Sequence, residues 1–137
     1  MTQPPAAPPA AAPAAPFDRV AIGLSLACLI HCLVLPPALV MLPLVAAAWP
    51  EDLWVHAGLF AIALPVAVLA LYRGWRLHRR RWPALLGLVG LCGLAAGLLM
   101  HSLPLGETAE RAASVTGASA LALAHLLNLR CRHHARP

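Results

Sequence analysis

Four long apolar segments, separated by short polar stretches, dominate the hydropathy pattern of the chain. They cover about residues 19–48, 53–72, 83–102 and 107–129. Each is near or above the length of about 20 residues that a helix needs to cross the hydrocarbon core of a bilayer. The pattern therefore predicts an all-α fold: a polytopic membrane protein whose four transmembrane helices form one bundle.

Prolines interrupt the first apolar segment. A proline inside a helix removes a backbone hydrogen bond and clashes with the preceding turn. We therefore expect the first helix to be broken at Pro36-Pro37. Carbonyl groups freed in this way survive at membrane depth only inside a bundle or beside a wet cavity. Pro65 predicts a kink in the second helix, whereas Pro83 suits the first turn of the third.

The remaining parts of the chain are short. Residues 1–16 consist almost entirely of proline and alanine, a composition typical of an extended, disordered tail. Residues 17–132 are assigned to the four-helix membrane domain, and residues 133–137 to a cytoplasmic tail. One membrane domain therefore accounts for almost all of the chain.

The composition excludes most soluble functions. The chain is 61% apolar and only 11% charged, whereas an ordinary soluble domain is about 25% charged. The sequence shows no nucleophile–base arrangement and no phosphate-binding loop, so we expect no enzyme. The basic residues are all arginines at the ends of apolar segments. Because nucleic-acid binding needs them clustered on a solvated surface, the predicted surroundings are a lipid bilayer and not a nucleic acid.

The arginines also predict the orientation of the helices. With four crossings, the N-terminus, residues 73–81 and the C-terminus share one side of the membrane, and nine of the ten arginines lie there. Four of the five acidic residues lie on the opposite side with Arg111. Arginine-rich short loops stay in the cytoplasm. We therefore expect a multi-pass protein of the bacterial inner membrane with both termini in the cytoplasm.

Small residues recur along the third segment at Gly87, Gly90, Gly93 and Gly97. Small residues let helix backbones approach one another closely in lipid. We interpret them as packing positions within the molecule. The Gly93–Gly97 step leaves a homo-oligomer interface open as the alternative.

A cysteine pair in the first helix carries the most informative chemistry. Cys28 and Cys32 are four residues apart, and His31 lies between them, so all three face roughly the same way with neighbouring Cβ atoms about 5–6 Å apart. Thiolates select soft or borderline ions such as Cu(I) and Zn(II), and the same softness favours Hg(II), which accepts two sulfurs in line. The pair lies about 14–20 Å along the helix from Arg19, near mid-membrane. The alternative is that both cysteines are small buried apolar residues.

Histidines and acidic residues cluster near the side of the membrane opposite the nine arginines. His56, His101 and Glu110 fall at the ends of three apolar segments, with further carboxylates at Glu51, Asp52 and Glu107. Such a set would gather cations at a mouth of the bundle. Ionisable groups inside a membrane helix normally face the bundle interior, which singles out Glu110. The alternative is polar residues that simply meet water.

Further histidines and cysteines lie in the third and fourth segments and at the C-terminus, and most of them have two interpretations. His125, in an otherwise apolar stretch, is either a metal ligand or a packing histidine bonded to another helix. Cys131 precedes His133 and His134, which would either accept an ion leaving the bundle or form a basic tail. Cys92 is expected to be a small packing residue of the third helix.

These segments resemble a known family. The motif Cys28-x-x-His31-Cys32, followed by leucines and prolines up to residue 43, looks like the first helix of the MerC family. Residues 117–130, with His125 and Asn128, are similar to the last helix of that family. The resemblance covers residues 17–132.

The resemblance implies an inner-membrane protein for mercuric-ion uptake and mercury resistance, with Hg(II) bound by Cys28 and Cys32. The ion would pass to a cytoplasmic thiol acceptor and finally to a mercuric reductase, and no organic cofactor is expected. Family members tend to carry a second cysteine pair toward the cytoplasmic end, where this chain offers only Cys131.

Two other functions stay open at this point. A membrane metalloprotein without transport would hold Zn(II), Cu or Fe through histidine and glutamate side chains. A haem is the less favoured candidate for the same side chains. The candidates for that set are His31, His56, His101, Glu110 and His125. A structural or assembly protein would use its polar residues only to tie helices together.

Overall fold

The structure is a computed structural model that describes residues 15–42, 44, 52–101 and 107–134. Its described part contains four helices and no strand. Their bounds are α1 Ala15–Met41, α2 Asp52–His78, α3 Trp82–Met100 and α4 Glu107–His134. Each helix includes a stretch that is long and apolar enough to cross a membrane. The predicted all-helical membrane architecture is confirmed.

The helix ends differ in detail from the sequence prediction. Helix α2 continues six residues beyond residue 72, and α4 continues five residues beyond residue 129. In these extensions Arg73, Arg76 and Arg130 are exposed, so their long side chains reach water while the backbone stays hydrogen-bonded in the helix. Of the tail expected over residues 1–16, residues 1–14 lie outside the described residues, and α1 begins at Ala15.

The expected break in the first helix is wrong. Helix α1 continues through Pro36-Pro37 to Met41, and the Leu42 N–H donates to the Ala38 carbonyl at 3.1 Å. A proline fixes φ near −65°, which is itself a helical value, and membrane helices tolerate the lost hydrogen bonds when other groups replace them. The two prolines remove only the donors for the carbonyls of Cys32 and Leu33.

Helix α4 contacts each of the other three helices, and its contact with α3 is the most extensive. A Cβ atom built on Gly93 would lie 2.8 Å from the Cα of Gly117. A Cβ atom on Gly117 would lie 2.6 Å from the backbone N of Leu94. The two backbones are therefore in direct contact, and the predicted packing role of the glycines of α3 is confirmed.

The buried positions of α1 recur every three or four residues. They are Asp18, Ala21, Ser25, Cys28 and Cys32, each less than 7% exposed. This spacing places them on one stripe of the helix, which we call the α1 stripe. Because they lie on the α1 stripe, the side chains of Cys28, Cys32 and Asp18 point into the bundle.

A tight connection joins α2 to α3. Arg79 has a φ of 58°, in the left-handed region, and its N–H donates to the Trp75 carbonyl at 2.8 Å. The start of α1 and the ends of α2 and α4 contact one another on this side through Asp18, Ala70 and Arg132. We call this side the arginine-rich end. His101, which follows the last residue of α3, and the start of α4 at Glu107 form the acidic end.

Candidate metal centre

The cysteine pair of α1 is buried and close. The Sγ atoms of Cys28 and Cys32 are 4.0 Å apart, and the two residues are 6% and 4% exposed. The two cysteines form one buried cluster with Ala118 of α4. Because the residues occupy consecutive turns of one helix, their sulfurs converge as the spacing predicts.

Helix α2 brings a histidine to this pair. The Nε2 atom of His56 lies 3.3 Å from the Cys32 Sγ. The His31 ring stands edge-on to the His56 ring, with ring centroids 4.9 Å apart and an interplanar angle of 86°. The donor atoms of His31, Cys32 and His56 all lie within 4.8 Å of one another. The structure therefore brings together the sulfurs of Cys28 and Cys32 and the imidazoles of His31 and His56 between α1 and α2. We call these four side chains the cysteine cluster.

A carboxylate connects this cluster to the acidic end. The Nδ1 atom of His101 lies 3.1 Å from each Glu110 carboxylate oxygen. The Nδ1 atom of His56 lies 3.9 Å from Glu110 Oε1, an ion-pair distance rather than a hydrogen bond. The His101 side chain is 35% exposed, whereas those of His56 and Glu110 are 12% and 13% exposed. Polar side chains therefore run from the partly exposed His101 inward to the cysteine pair.

Other carboxylates expected at this mouth do not join the cluster. Glu107 forms an ion pair with Arg111 on its own helix, and its side chain is 78% exposed. Glu51 and the side chain of Asp52 lie outside the described residues. Glu110 is thus the carboxylate that the described part of the acidic end places beside the histidines.

A small cavity adjoins Cys28. Polar surface on its wall comes from Ser25, Cys28, His56 and Ser114, and apolar side chains such as Phe60 form the remainder. Its volume of about 20 Å³ is enough for one water molecule. Cys28 is therefore next to open space inside the bundle.

His125 lies elsewhere, at the arginine-rich end. It is fully buried, and its Nδ1 atom donates to Asp18 Oδ1 at 2.8 Å. Asp18 is ten residues before Cys28, which corresponds to about 15 Å along α1. The Nε2 atom of His125 has no hydrogen-bond partner in the described part of the chain. The structure does not bring His125 to the cysteine cluster.

Asp18 is the centre of a buried polar network. The Asn128 Nδ2 donates to both Asp18 oxygens, at 2.9 and 3.1 Å, and lies 3.3 Å from the Ala70 carbonyl. The Arg132 Nη2 donates to the same carbonyl at 2.8 Å, and its Nε lies 3.3 Å from Asp18 Oδ2. This network, which we call the Asp18 network, links α1, α2 and α4.

The end of α2 completes the Asp18 network. The Arg80 N–H donates to His78 Nδ1 at 3.0 Å, so the other ring nitrogen of a neutral His78 carries the proton. That nitrogen donates to Asn128 Oδ1 at 2.9 Å. This bond agrees with the assigned orientation of the Asn128 amide, whose NH₂ group faces Asp18.

Sequence reasoning missed Asp18 and His78 and misplaced Cys92. Cys92 is exposed on α3 and does not pack inside. Asp18 is an acid in the first turn of α1, a common position for one, but it is also seven residues before Ser25, on the α1 stripe. That spacing was the available signal. Cys131 is half-buried and His134 is exposed, while the side chain of His133 lies outside the described part.

Comparison with known proteins identifies the family. No match was found among curated proteins or among solved structures. The family described as MerC mercury resistance protein matches residues 18–130, which include the cysteine cluster, Glu110 and most of the Asp18 network. With four membrane-length helices and a match over most of its length, the chain belongs to the MerC family of mercury resistance proteins.

Proposed function

We propose that this MerC-family membrane protein carries Hg(II) inward across the bacterial inner membrane and holds the ion between Cys28 and Cys32. The observation that carries the proposal is the convergence of two buried sulfurs, 4.0 Å apart, on one stripe of α1. Thiolates are the ligands that soft ions prefer. The family match supports mercury as the cargo.

The sulfur separation suits one ion. With metal–sulfur bonds of about 2.3 Å, tetrahedral coordination places two sulfurs about 3.8 Å apart, and linear coordination about 4.6 Å apart. The observed 4.0 Å lies between these values. A linear Hg(II) complex therefore requires the sulfurs of Cys28 and Cys32 to separate by only about 0.6 Å, which a change of side-chain torsion supplies.

The acidic end is the proposed entrance. Nine of the ten arginines lie on the other side in the predicted topology, so the positive-inside rule orients the acidic end toward the periplasm. There the Glu110 carboxylate, held by His101, attracts a cation. His56 then lies between Glu110 and Cys32, and leads the ion to the sulfurs.

Release to the cytoplasm proceeds by exchange between thiols. Each thiol of the pair loses its proton when it binds the metal. Attack by a cytoplasmic dithiol then transfers Hg(II) to two new sulfurs, while the protons of the dithiol return to Cys28 and Cys32. Proton and charge balance are kept, and the ion is never free. Cys131, half-buried near the end of α4, is a candidate for an intermediate sulfur.

Uptake of radioactive Hg(II) by cells tests the proposal. We expect Cys28→Ser and Cys32→Ser each to reduce uptake to the level of cells without the protein. Cys92→Ser is the matched control, because this cysteine is exposed on α3, and it should leave uptake unchanged. The amount of each variant in the membrane is measured in the same cells. Wild-type uptake in both α1 variants would contradict the proposal.

The direction of movement has its own test. Inverted and right-side-out membrane vesicles, loaded with a dithiol inside, are compared for Hg(II) accumulation. Inward transport predicts faster accumulation in right-side-out vesicles, in which the proposed entrance faces the medium. Faster accumulation in inverted vesicles would reverse the proposed orientation.

A further inference from the structure

We propose that the same pocket binds Zn(II) and similar tetrahedral divalent cations, because His31 and His56 complete a four-donor Cys2His2 site with Cys28 and Cys32. The inference rests on the proposed function, since both ions use the same two cysteines. It goes further by adding a second class of ion and a second mode of coordination.

The donor set is typical of zinc. Zn(II) is almost always tetrahedral in structural sites and combines cysteine sulfur with histidine nitrogen, and two of each is a common set. A linear Hg(II) ion needs only the two sulfurs. The two imidazoles beside the sulfurs are therefore more than a mercury site requires, and they supply the donors of a borderline ion.

The distances agree with a tetrahedral ion. Bonds of about 2.3 Å to sulfur and about 2.05 Å to nitrogen place a sulfur and a nitrogen about 3.6 Å apart. The observed separation between Cys32 Sγ and His56 Nε2 is 3.3 Å. The 4.0 Å between the sulfurs is close to the tetrahedral value of about 3.8 Å. His31 brings its donor atom within 4.8 Å of those of Cys32 and His56, and Cys28 adjoins this group through its sulfur, which lies 4.0 Å from the Cys32 Sγ.

The surroundings of His56 provide an independent indication. A histidine that ligates a metal almost always directs its other ring nitrogen to a carboxylate, a carbonyl or a water. In His56 the Nε2 atom faces Cys32, and the Nδ1 atom lies 3.9 Å from Glu110 Oε1. Glu110 is held in turn by His101. The Glu110 carboxylate therefore lies at ion-pair distance from the second ring nitrogen of His56, on the side where a metal-binding imidazole has its outer partner.

Coordination of this kind would join two helices. His56 belongs to α2, whereas the other three donors belong to α1. A tetrahedral ion therefore binds α1 to α2, while a linear Hg(II) ion engages α1 alone. Each thiol that binds Zn(II) releases its proton to solvent. Discrimination between the two classes of ion thus depends on His31 and His56.

Co(II) is a spectroscopic probe for the tetrahedral mode. The full-length protein, purified in detergent and reduced, is titrated with Co(II), and its visible absorption is recorded. We expect the intense d–d bands and sulfur-to-cobalt charge-transfer band of a tetrahedral thiolate complex. One equivalent of Zn(II) should remove them. Octahedral Co(II) absorbs only weakly, and a weak spectrum with the wild-type protein would overturn the inference.

Two variants test the proposed histidine donors, a third tests Glu110, and a fourth is a control. We expect His31→Ala and His56→Ala each to weaken Co(II) binding by more than tenfold, while Hg(II) still binds to the two cysteines. A wild-type elution profile in size-exclusion chromatography and a wild-type helical circular dichroism spectrum show that both variants are folded. Glu110→Gln, which changes only the outer partner of His56, should weaken Co(II) binding by about 10–100-fold. His134→Ala, at the exposed end of α4, is the control and should bind like wild type.

The outcomes separate this inference from the proposed function. Wild-type Co(II) affinity in both histidine variants, or loss of Hg(II) together with Co(II), would overturn the two-mode pocket. Weaker binding of both metals in Cys28→Ser, made in a Cys92→Ser/Cys131→Ser background, supports it. If the wild-type protein binds Hg(II) through the cysteines but gives no tetrahedral Co(II) spectrum, the inference fails and the mercury proposal stands.

Discussion

Gly74 of α2 provides a sharp test of the Asp18 network. A Cβ atom at this position would lie 1.9 Å from Asn128 Oδ1 and 2.6 Å from its Nδ2. No real Cβ contact is that short, so Gly74→Ala forces the Asn128 amide to move. The amide then loses its bonds to Asp18, to the Ala70 carbonyl and to His78.

The expected cost follows from those bonds. A polar contact between helices of a membrane protein contributes about 0.6 kcal/mol on average, so three lost partners cost about 2 kcal/mol. Replacement of glycine by alanine inside a helix returns about 0.5–1 kcal/mol. We therefore expect Gly74→Ala to lower the free energy of unfolding by about 1 kcal/mol. Gly58→Ala, on the same helix with no atom within 4 Å, should raise it by about 0.5–1 kcal/mol.

A double-mutant cycle isolates the contact. In an Asn128→Ala background the clash is absent, so Gly74→Ala should be stabilising, like the Gly58→Ala control. The resulting coupling energy between positions 74 and 128 is about 2 kcal/mol, within the range seen for residues in contact. The assay is SDS unfolding of the protein in detergent micelles, followed by circular dichroism. Equal effects of Gly74→Ala in the two backgrounds would refute the assigned contact.

Three further predictions follow from the helix contacts and the site. Gly93→Leu should prevent accumulation of folded protein, measured by size-exclusion chromatography, because its side chain would enter the backbone of Gly117; a wild-type elution profile would contradict this. Arg79→Gly should raise the free energy of unfolding by about 1 kcal/mol, because glycine adopts the left-handed conformation without strain; no gain would argue against a φ of 58°. In a Cys92→Ser/Cys131→Ser background, which removes the other two free thiols, Hg(II) binding in weakly buffered solution should release roughly two protons per ion, and none when Cys28 and Cys32 are also replaced by serine, as recorded with a pH indicator.

The helices and the cysteine pair follow from local patterns. Segment length, apolar composition and the spacing of Cys28 and Cys32 all refer to one helix at a time, and they predicted the four spans and the convergence of the sulfurs. The break expected at Pro36-Pro37 was wrong for a physical reason. Proline disfavours a helix in water, but in a membrane the helical backbone is the arrangement that keeps most polar groups bonded.

The contacts between helices were beyond the reach of those patterns. That His56 faces Cys32 depends on the rotation of α2 about its own axis, and no local spacing reports that rotation. Asp18 illustrates the same limit, because an acid in the first turn of a helix is favourable at any exposed N-terminus. Its burial against Asn128 and Arg132 is decided by how α1 packs on α4. The signal in the sequence was its spacing of seven residues from Ser25, which places the two polar residues on one face of α1.

The two kinds of helix contact suit different tasks. Helices α3 and α4 meet backbone to backbone at Gly93 and Gly117, an arrangement in which neither helix can shift without losing many contacts at once. The cysteine cluster instead joins α1 to α2 through polar contacts such as that between Cys32 and His56. Contacts of this kind contribute about 0.6 kcal/mol each in a membrane, so they separate at small cost when an ion inserts. A site that must receive and release a cation is therefore better placed between α1 and α2 than between the glycine-packed helices.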